Sequence, residues 1–260
     1  MPDPDNRKLE VHDSPLTDDV VASPNFNDRR SGAPDMLLLH YTGMDDPEKS
    51  LKWLCMEKSE VSSHYFIFQD GRIVQSVAED KRAWHAGLSF WAGERDINSR
   101  SIGIEIANGG HDYGLPDFET AQISKLMALC NDIIKRHSIR PERVLAHSDV
   151  APRRKKDPGE KFPWEALAAQ GIGHFVTEEI GGDGRFFQRG DEGDPVAALQ
   201  TMLGLYGYEI DVTGSFDEHT VAVIEAFQRH FRQSRVDGVA DASTIATLHK
   251  LLVSLPSPIA

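Results

Sequence analysis

The chain has 260 residues, a formal net charge of −13, and 40% hydrophobic against 27% charged residues. That length accommodates one or two domains with a core of their own, and the composition is that of a globular protein. An acidic balance argues against nucleic acid or an anionic membrane surface as a partner. No apolar run approaches the roughly 18 residues that a membrane span needs. The opening stretch "MPDPDNRKLEVHDSPLTDDV" lacks the apolar segment of a secretory signal, so the expected setting is cytoplasmic, with periplasm or envelope as the alternative. Cys55 and Cys130 lie in separate apolar stretches and read as buried free thiols.

In chain order, the first thirty residues are polar and proline-punctuated and predict an irregular lead-in. "DMLLLHYT" (35–42) predicts a buried strand that ends by delivering His40 to a site. A helix follows over 46–59, with Asp46 as its cap and Pro47 in its first turn. "SSHYFIFQDGRIVQSV" (62–77) predicts a hairpin turning at Asp70-Gly71. "SIGIEIAN" (101–108) predicts a second buried strand, residues 120–137 a long amphipathic helix, and "RVLAHSD" (143–149) a last short strand. Strands mixed with helices imply an α/β domain with a mixed central sheet flanked by helices.

The character changes after Trp164. Residues 178–186 are rich in glycine and read as a linker between a catalytic domain (1–177) and a small all-α domain of three helices (187–260). Within the latter, "VTGSFDEHTVAVI" (212–224) and "VDGVADASTIATL" (236–248) repeat one pattern, with Asp217 and Asp241 placed as helix caps. A linker of this kind implies few contacts across it, so a chain ending near residue 178 is expected to fold and to act on small soluble substrates.

The chemistry concentrates in "AHSDVAPRRKKDPGEKFPW" (146–164). His40 and His147 at strand ends and Asp157 in the following loop meet the three-ligand count of a zinc hydrolase, which keeps a fourth position for water. Glu105, a carboxylate in an otherwise apolar strand, is the candidate proton carrier. Lys155, two residues before Asp157, is placed to stabilise an oxyanion, while Arg153, Arg154 and Lys156 read as solvated. His64, His85 and His111 remain rival ligands, because spacing alone does not exclude them.

The blocks "LLLHYTG", "SSHYFIFQDGRIVQSV", "AWHAG", "SIGIEIAN" and "LAHSDVAPRRKKDPGEKFPW" together resemble the type 2 N-acetylmuramoyl-L-alanine amidases. These zinc amidases are related to phage amidase-type lysozymes and peptidoglycan recognition proteins. The resemblance runs from Ser23 to Trp164. It implies one zinc on His40, His147 and Asp157, a catalytic Glu105, a transition-state Lys155, and a substrate groove lined by Tyr41, Trp84 and His85. Relatives often carry a tyrosine where this chain has Ser63, which leaves Glu105 as the obvious proton shuttle. The later helices resemble the peptidoglycan-binding module type 1. The implied protein is a monomeric hydrolase of the amide between N-acetylmuramic acid and L-alanine, acting on peptidoglycan or muropeptides, with neither nucleic acid nor membrane as partner. A non-catalytic peptidoglycan sensor and a zinc peptidase cutting within the stem peptide are the alternatives.

Overall fold

In a computed structural model, the structure describes residues 12–178 and 186–255. Strands are β1 (Asp19–Val20), β2 (Phe26–Asp28), β3 (Met36–Tyr41), β4 (Tyr65–Ile67), β5 (Ile73–Gln75), β6 (Lys81–Ala83), β7 (Ser101–Ile106) and β8 (Val144–Ala146). Helices are α1 (Pro47–Leu54), α2 (Ile97–Arg100), α3 (Thr120–His137), α4 (His147–Val150), α5 (Trp164–Ala168), α6 (Asp194–Tyr206), α7 (Glu218–Phe231) and α8 (Ala242–Ser254). Six strands form one mixed sheet in the order β1-β5-β4-β7-β3-β8. β4, β7, β3 and β8 run parallel, β5 turns back antiparallel to β4, and β2 and β6 pair separately.

The expected elements form where periodicity is strong. Asp46 accepts a hydrogen bond from the Lys49 N–H at 3.0 Å and starts α1 behind Pro47. The hairpin turns at Gly71, whose φ of +89° is open to glycine but strained for other residues. The lead-in is not wholly irregular, because β1 pairs with β5 and β2 with β6. Strands of two and three residues have no period to detect, and here the sheet edge imposes them. Both cysteines are free, Cys130 buried and Cys55 partly so.

Alternation along the strands sends side chains to two faces. Leu37 and Leu39 of β3, with Ile102, Ile104 and Ile106 of β7, pack under α3 through Leu126, Leu129 and Ile133. On the other face, Phe66 and Val74 lie under Leu51 and Leu54 of α1. Met36, Leu38 and Leu145, also on that face, join one apolar cluster with Trp91, Val150 and the side chains of α6, α7 and α8. The helical region therefore covers part of the sheet.

The helical region is built from the repeat. Asp217 accepts from the Thr220 N–H and Asp241 from the Thr244 N–H, each at 2.8 Å. Gln200 and Gln228 do the same work one helix earlier. Each side-chain oxygen accepts from two N–H groups of the following turn, Thr213 and Gly214 or Asp237 and Gly238, and each amide donates to the carbonyl of Ser215 or Val239.

The expectation of few contacts to the rest of the chain does not hold. Trp91 sits against Tyr206 and Tyr208, the Ala92 N–H donates to the Gly207 carbonyl at 2.8 Å, and the His230 ring stacks on Trp164 at 3.7 Å. A side chain at position 207 would meet the Trp91 ring at 2.6 Å, so only glycine permits this approach. The glycine-rich stretch misled because composition reports on a connection, whereas the contact depends on apolar faces it joins. Residues 179–185, most of the expected linker, lie outside the described residues. No described helix is long and apolar enough to cross a membrane.

Candidate metal centre and active site

Parallel strands place the candidate side chains in a row at their carboxyl ends, where clefts of open α/β sheets form. His40 is in register with Glu105, and Leu39 with Ala146, so His147 follows abreast of His40. The strand β7 gives its other face Ser101, Gly103 and Glu105, a polar face in a strand whose remaining positions are isoleucine. α4 begins at His147 and leads, through residues 151–156, to Asp157. The Ser148 N–H donates to the Asp157 carbonyl at 3.0 Å, which closes that loop on itself.

Three buried atoms converge: His40 Nδ1, His147 Nδ1 and Asp157 Oδ2 lie 2.9 to 3.0 Å from one another. Burial, with His147 alongside, pushes His40 down to about 4, so its ring is neutral at neutral pH. Burial opposes ionisation of Asp157, yet His147 and His40 hold it well below the usual carboxylate range. Two imidazole nitrogens and a carboxylate oxygen converging on one point are a donor set that could hold a cation. Ligands at about 2.0–2.2 Å from a tetrahedral zinc stand roughly 3.3 Å apart, close to the spacing here, and the donor types suit zinc. The residues fit the metal that the sequence implies. Among the described residues these three form the group able to hold an ion.

The outer ring nitrogens are also held. His40 Nε2 faces His85 Nδ1 at 3.1 Å, His85 Nε2 faces Ser101 Oγ at 3.3 Å, and His147 Nε2 faces the Ala86 carbonyl at 3.1 Å. Were each Nδ1 turned to an ion, both Nε2–H groups would donate outward, which would fix tautomer and ring angle. Asn98 accepts from the His85 and Ala86 N–H groups and so positions this support. Gly103 makes room: a side chain there would meet the His85 ring at 2.6 Å.

The rival histidines separate by position. His64 is buried against the Gly103 N–H and the Lys81 carbonyl, His111 bridges Tyr41 and Glu160, and His85 lies behind His40. Ser63 is buried and donates to the Tyr65 carbonyl.

A cleft of about 500 Å³ opens over the three donors, lined by Tyr41, Trp84, His85, Glu105, Lys155 and Lys156 among others. Glu105 is half-buried. Its Oε2 is sealed and has no hydrogen-bond partner, and burial, reinforced by Asp157, raises its pKa well above the usual range while Lys155 opposes this. A carboxyl group with its ionised form disfavoured in this way is suited to carrying a proton. Of the four-cation run, Arg154, Lys155 and Lys156 line the cleft, and Arg154 also donates to the Ala86 and Leu88 carbonyls at 3.0 and 2.6 Å, so it is not an idle surface charge. Sequence reasoning missed the Ala86 carbonyl, Asn98 and Arg154 as supports. The "AWHAG" block was the available signal, since it places His85 beside Ala86.

The chain is similar to known proteins over most of its length. The N-acetylmuramoyl-L-alanine amidase family matches residues 30–160, and a peptidoglycan binding domain family matches residues 192–248. The N-acetylmuramoyl-L-alanine amidase AmiD of Escherichia coli is 43% identical over 235 residues, covering 84% of this chain and 82% of that protein. Its complex with anhydro-N-acetylmuramic acid-L-Ala-D-γ-Glu-L-Lys superposes with a TM-score of 0.73, over 87% of this chain and 92% of that one. AmpDh3 of Pseudomonas aeruginosa in complex with anhydromuramic pentapeptide, 31% identical, gives 0.71 over 96% of this chain and all of that one. The 1,6-anhydro-N-acetylmuramyl-L-alanine amidase AmpD of Citrobacter freundii is 39% identical over 57% of this chain and 87% of its own length. With a matching family over half its length and a relative matched over most of both chains, this chain belongs to the N-acetylmuramoyl-L-alanine amidase family.

Proposed function

We propose that this chain hydrolyses the amide between the lactyl group of N-acetylmuramic acid and L-alanine in peptidoglycan or its muropeptides, with one zinc held by His40, His147 and Asp157. The observation that carries the reading is the convergence of three buried metal-donor atoms beside an unpartnered Glu105 oxygen. Zinc at such a site supplies Lewis acidity toward water and toward the scissile carbonyl. Glu105 accepts a proton from the attacking water and returns one to the departing alanine nitrogen. The Lys155 ammonium faces the negative charge that builds on the carbonyl oxygen, a contact stronger in the transition state than in the bound substrate. Tyr41 and Trp84 form walls for the sugar and the first residues of the stem. His85 acts from behind, by orienting His40. The catalytic residues fall within 1–177, and the region 187–260 is read as the peptidoglycan-binding part. Mass spectrometry of the products from a defined muropeptide tests the activity. A free stem peptide with an L-alanine amine is expected, whereas cleavage inside the stem or intact substrate would replace this reading with a peptidase or a sensor.

Purified protein is expected to hold about one zinc per chain, and His40→Ala, His147→Ala and Asp157→Ala each to lower occupancy sharply. Elemental analysis giving full zinc in all three variants would remove the site as drawn. Lys155→Ala is expected to reduce kcat by roughly 10- to 100-fold with a smaller change in KM. Arg153→Ala, an exposed neighbour on an adjacent hollow, is expected to change neither. Equal effects from the two substitutions would mean that the cationic loop acts as a diffuse field.

A further inference from the structure

We propose that Tyr208 and His230 of the helical region are positioning residues for the metal site, acting through Asp149, so that this region is a working part of the active site besides whatever it binds. The inference rests on the reading of His147 and Asp157 as zinc ligands. Asp149 is fully buried. Its Oδ1 accepts the Tyr208 hydroxyl at 2.7 Å, and its Oδ2 faces His230 Nδ1 at 2.7 Å and accepts the Ala146 N–H at 2.8 Å. Two of its three donors thus come from beyond residue 186, and among the described residues neither lysine nor arginine pairs with it.

What Asp149 holds is the turn on which the site hangs. α4 is four residues long, too short to persist on its own. The Asp149 carboxylate closes on the Ala146 N–H, where β8 passes into α4, one residue before His147. From that turn the backbone reaches the other site residues directly. The Ser148 N–H donates to the Asp157 carbonyl, the Ala151 N–H to His147, and the Lys155 N–H to Ala151. His230 is itself clamped between Trp164 and Phe231, at 3.7 and 3.8 Å, so its ring has a fixed angle. If its two donors were lost, Asp149 would keep a buried acceptor without a partner and lose its reason for one rotamer, and the turn would loosen.

The test uses the full chain loaded with zinc or cobalt. Tyr208→Phe, which keeps the ring, and His230→Ala are each expected to weaken zinc binding by about 10-fold or more in competition with a chelator, the range typical of groups that support metal ligands. kcat is expected to fall more than KM rises, and the visible spectrum of the cobalt-loaded protein to change. His230→Asn, whose amide nitrogen stands near the position of Nδ1, should recover part of the loss. Gln200→Ala disturbs the helical region away from Asp149 and should leave zinc affinity unchanged at a temperature where it is folded. If His230→Ala does not fold, Tyr208→Phe decides the matter. Tyr208→Phe binding zinc as the wild type does, or Gln200→Ala weakening it equally, overturns the positioning role. A wild-type chain that binds no zinc overturns the underlying reading instead.

Discussion

Glu105→Gln is expected to leave fold and zinc content intact and to lower kcat by about 10²- to 10⁴-fold, the span attributed to one positioned proton carrier. The amide has the shape of the carboxyl group but cannot accept and return a proton. Fold should survive because the native group is costly where it sits. Oε2 is sealed without a partner, and burial with Asp157 alongside holds the pKa well above the ordinary carboxylate range. Replacement removes the buried charge, leaves the shape unchanged and breaks no ion pair. Zinc should survive because Glu105 stands abreast of His40 in the sheet and is not one of the three converging donors. Steady-state kinetics on a soluble muropeptide, paired with elemental analysis, reads both outcomes. A kcat within about threefold of wild type would hand the shuttle to another cleft group, Tyr41 or His111 first.

Ending the chain at residue 178 is expected to yield a protein that is insoluble or melts at least ~10 °C lower, and that is impaired even on small soluble muropeptides. Trp91, Leu145 and Val150 share an apolar cluster with α6, α7 and α8. Uncovering each costs up to about 1.5–3 kcal/mol, and leaving Asp149 short of two donors costs roughly another 1–3. Their sum is comparable to the whole stability of a typical domain, ~5–15 kcal/mol. At about 2–4 °C per kcal/mol for a domain of this size, even half of that loss is readily measured. Calorimetry and kinetics on the truncated and full chains check it. Equal melting temperatures and equal kcat would restore the detachable module that the glycine-rich stretch suggests.

Local order in the sequence determined most of the elements, because their signals are local. A period of two or near four, a cap such as Asp46, Asp217 or Asp241, and a turn such as Asp70-Gly71 act within a few residues. The site residues were legible for a different reason. His40, Glu105, His147, Lys155 and Asp157 stand in blocks whose residue types suit metal and proton chemistry, and together those blocks resemble one amidase family. Spacing could not choose among five histidines for the ligand positions. The parallel register of β7, β3 and β8 sets His40 and His147 abreast, where both Nδ1 atoms meet Asp157, while His64, His85 and His111 are held by other partners. The short strands at the sheet edge and the burial of Asp149 under Tyr208 and His230 were likewise decided only in the tertiary structure. Those contacts join residues 59 and 81 positions apart, and no local pattern encodes which apolar face a distant helix will cover.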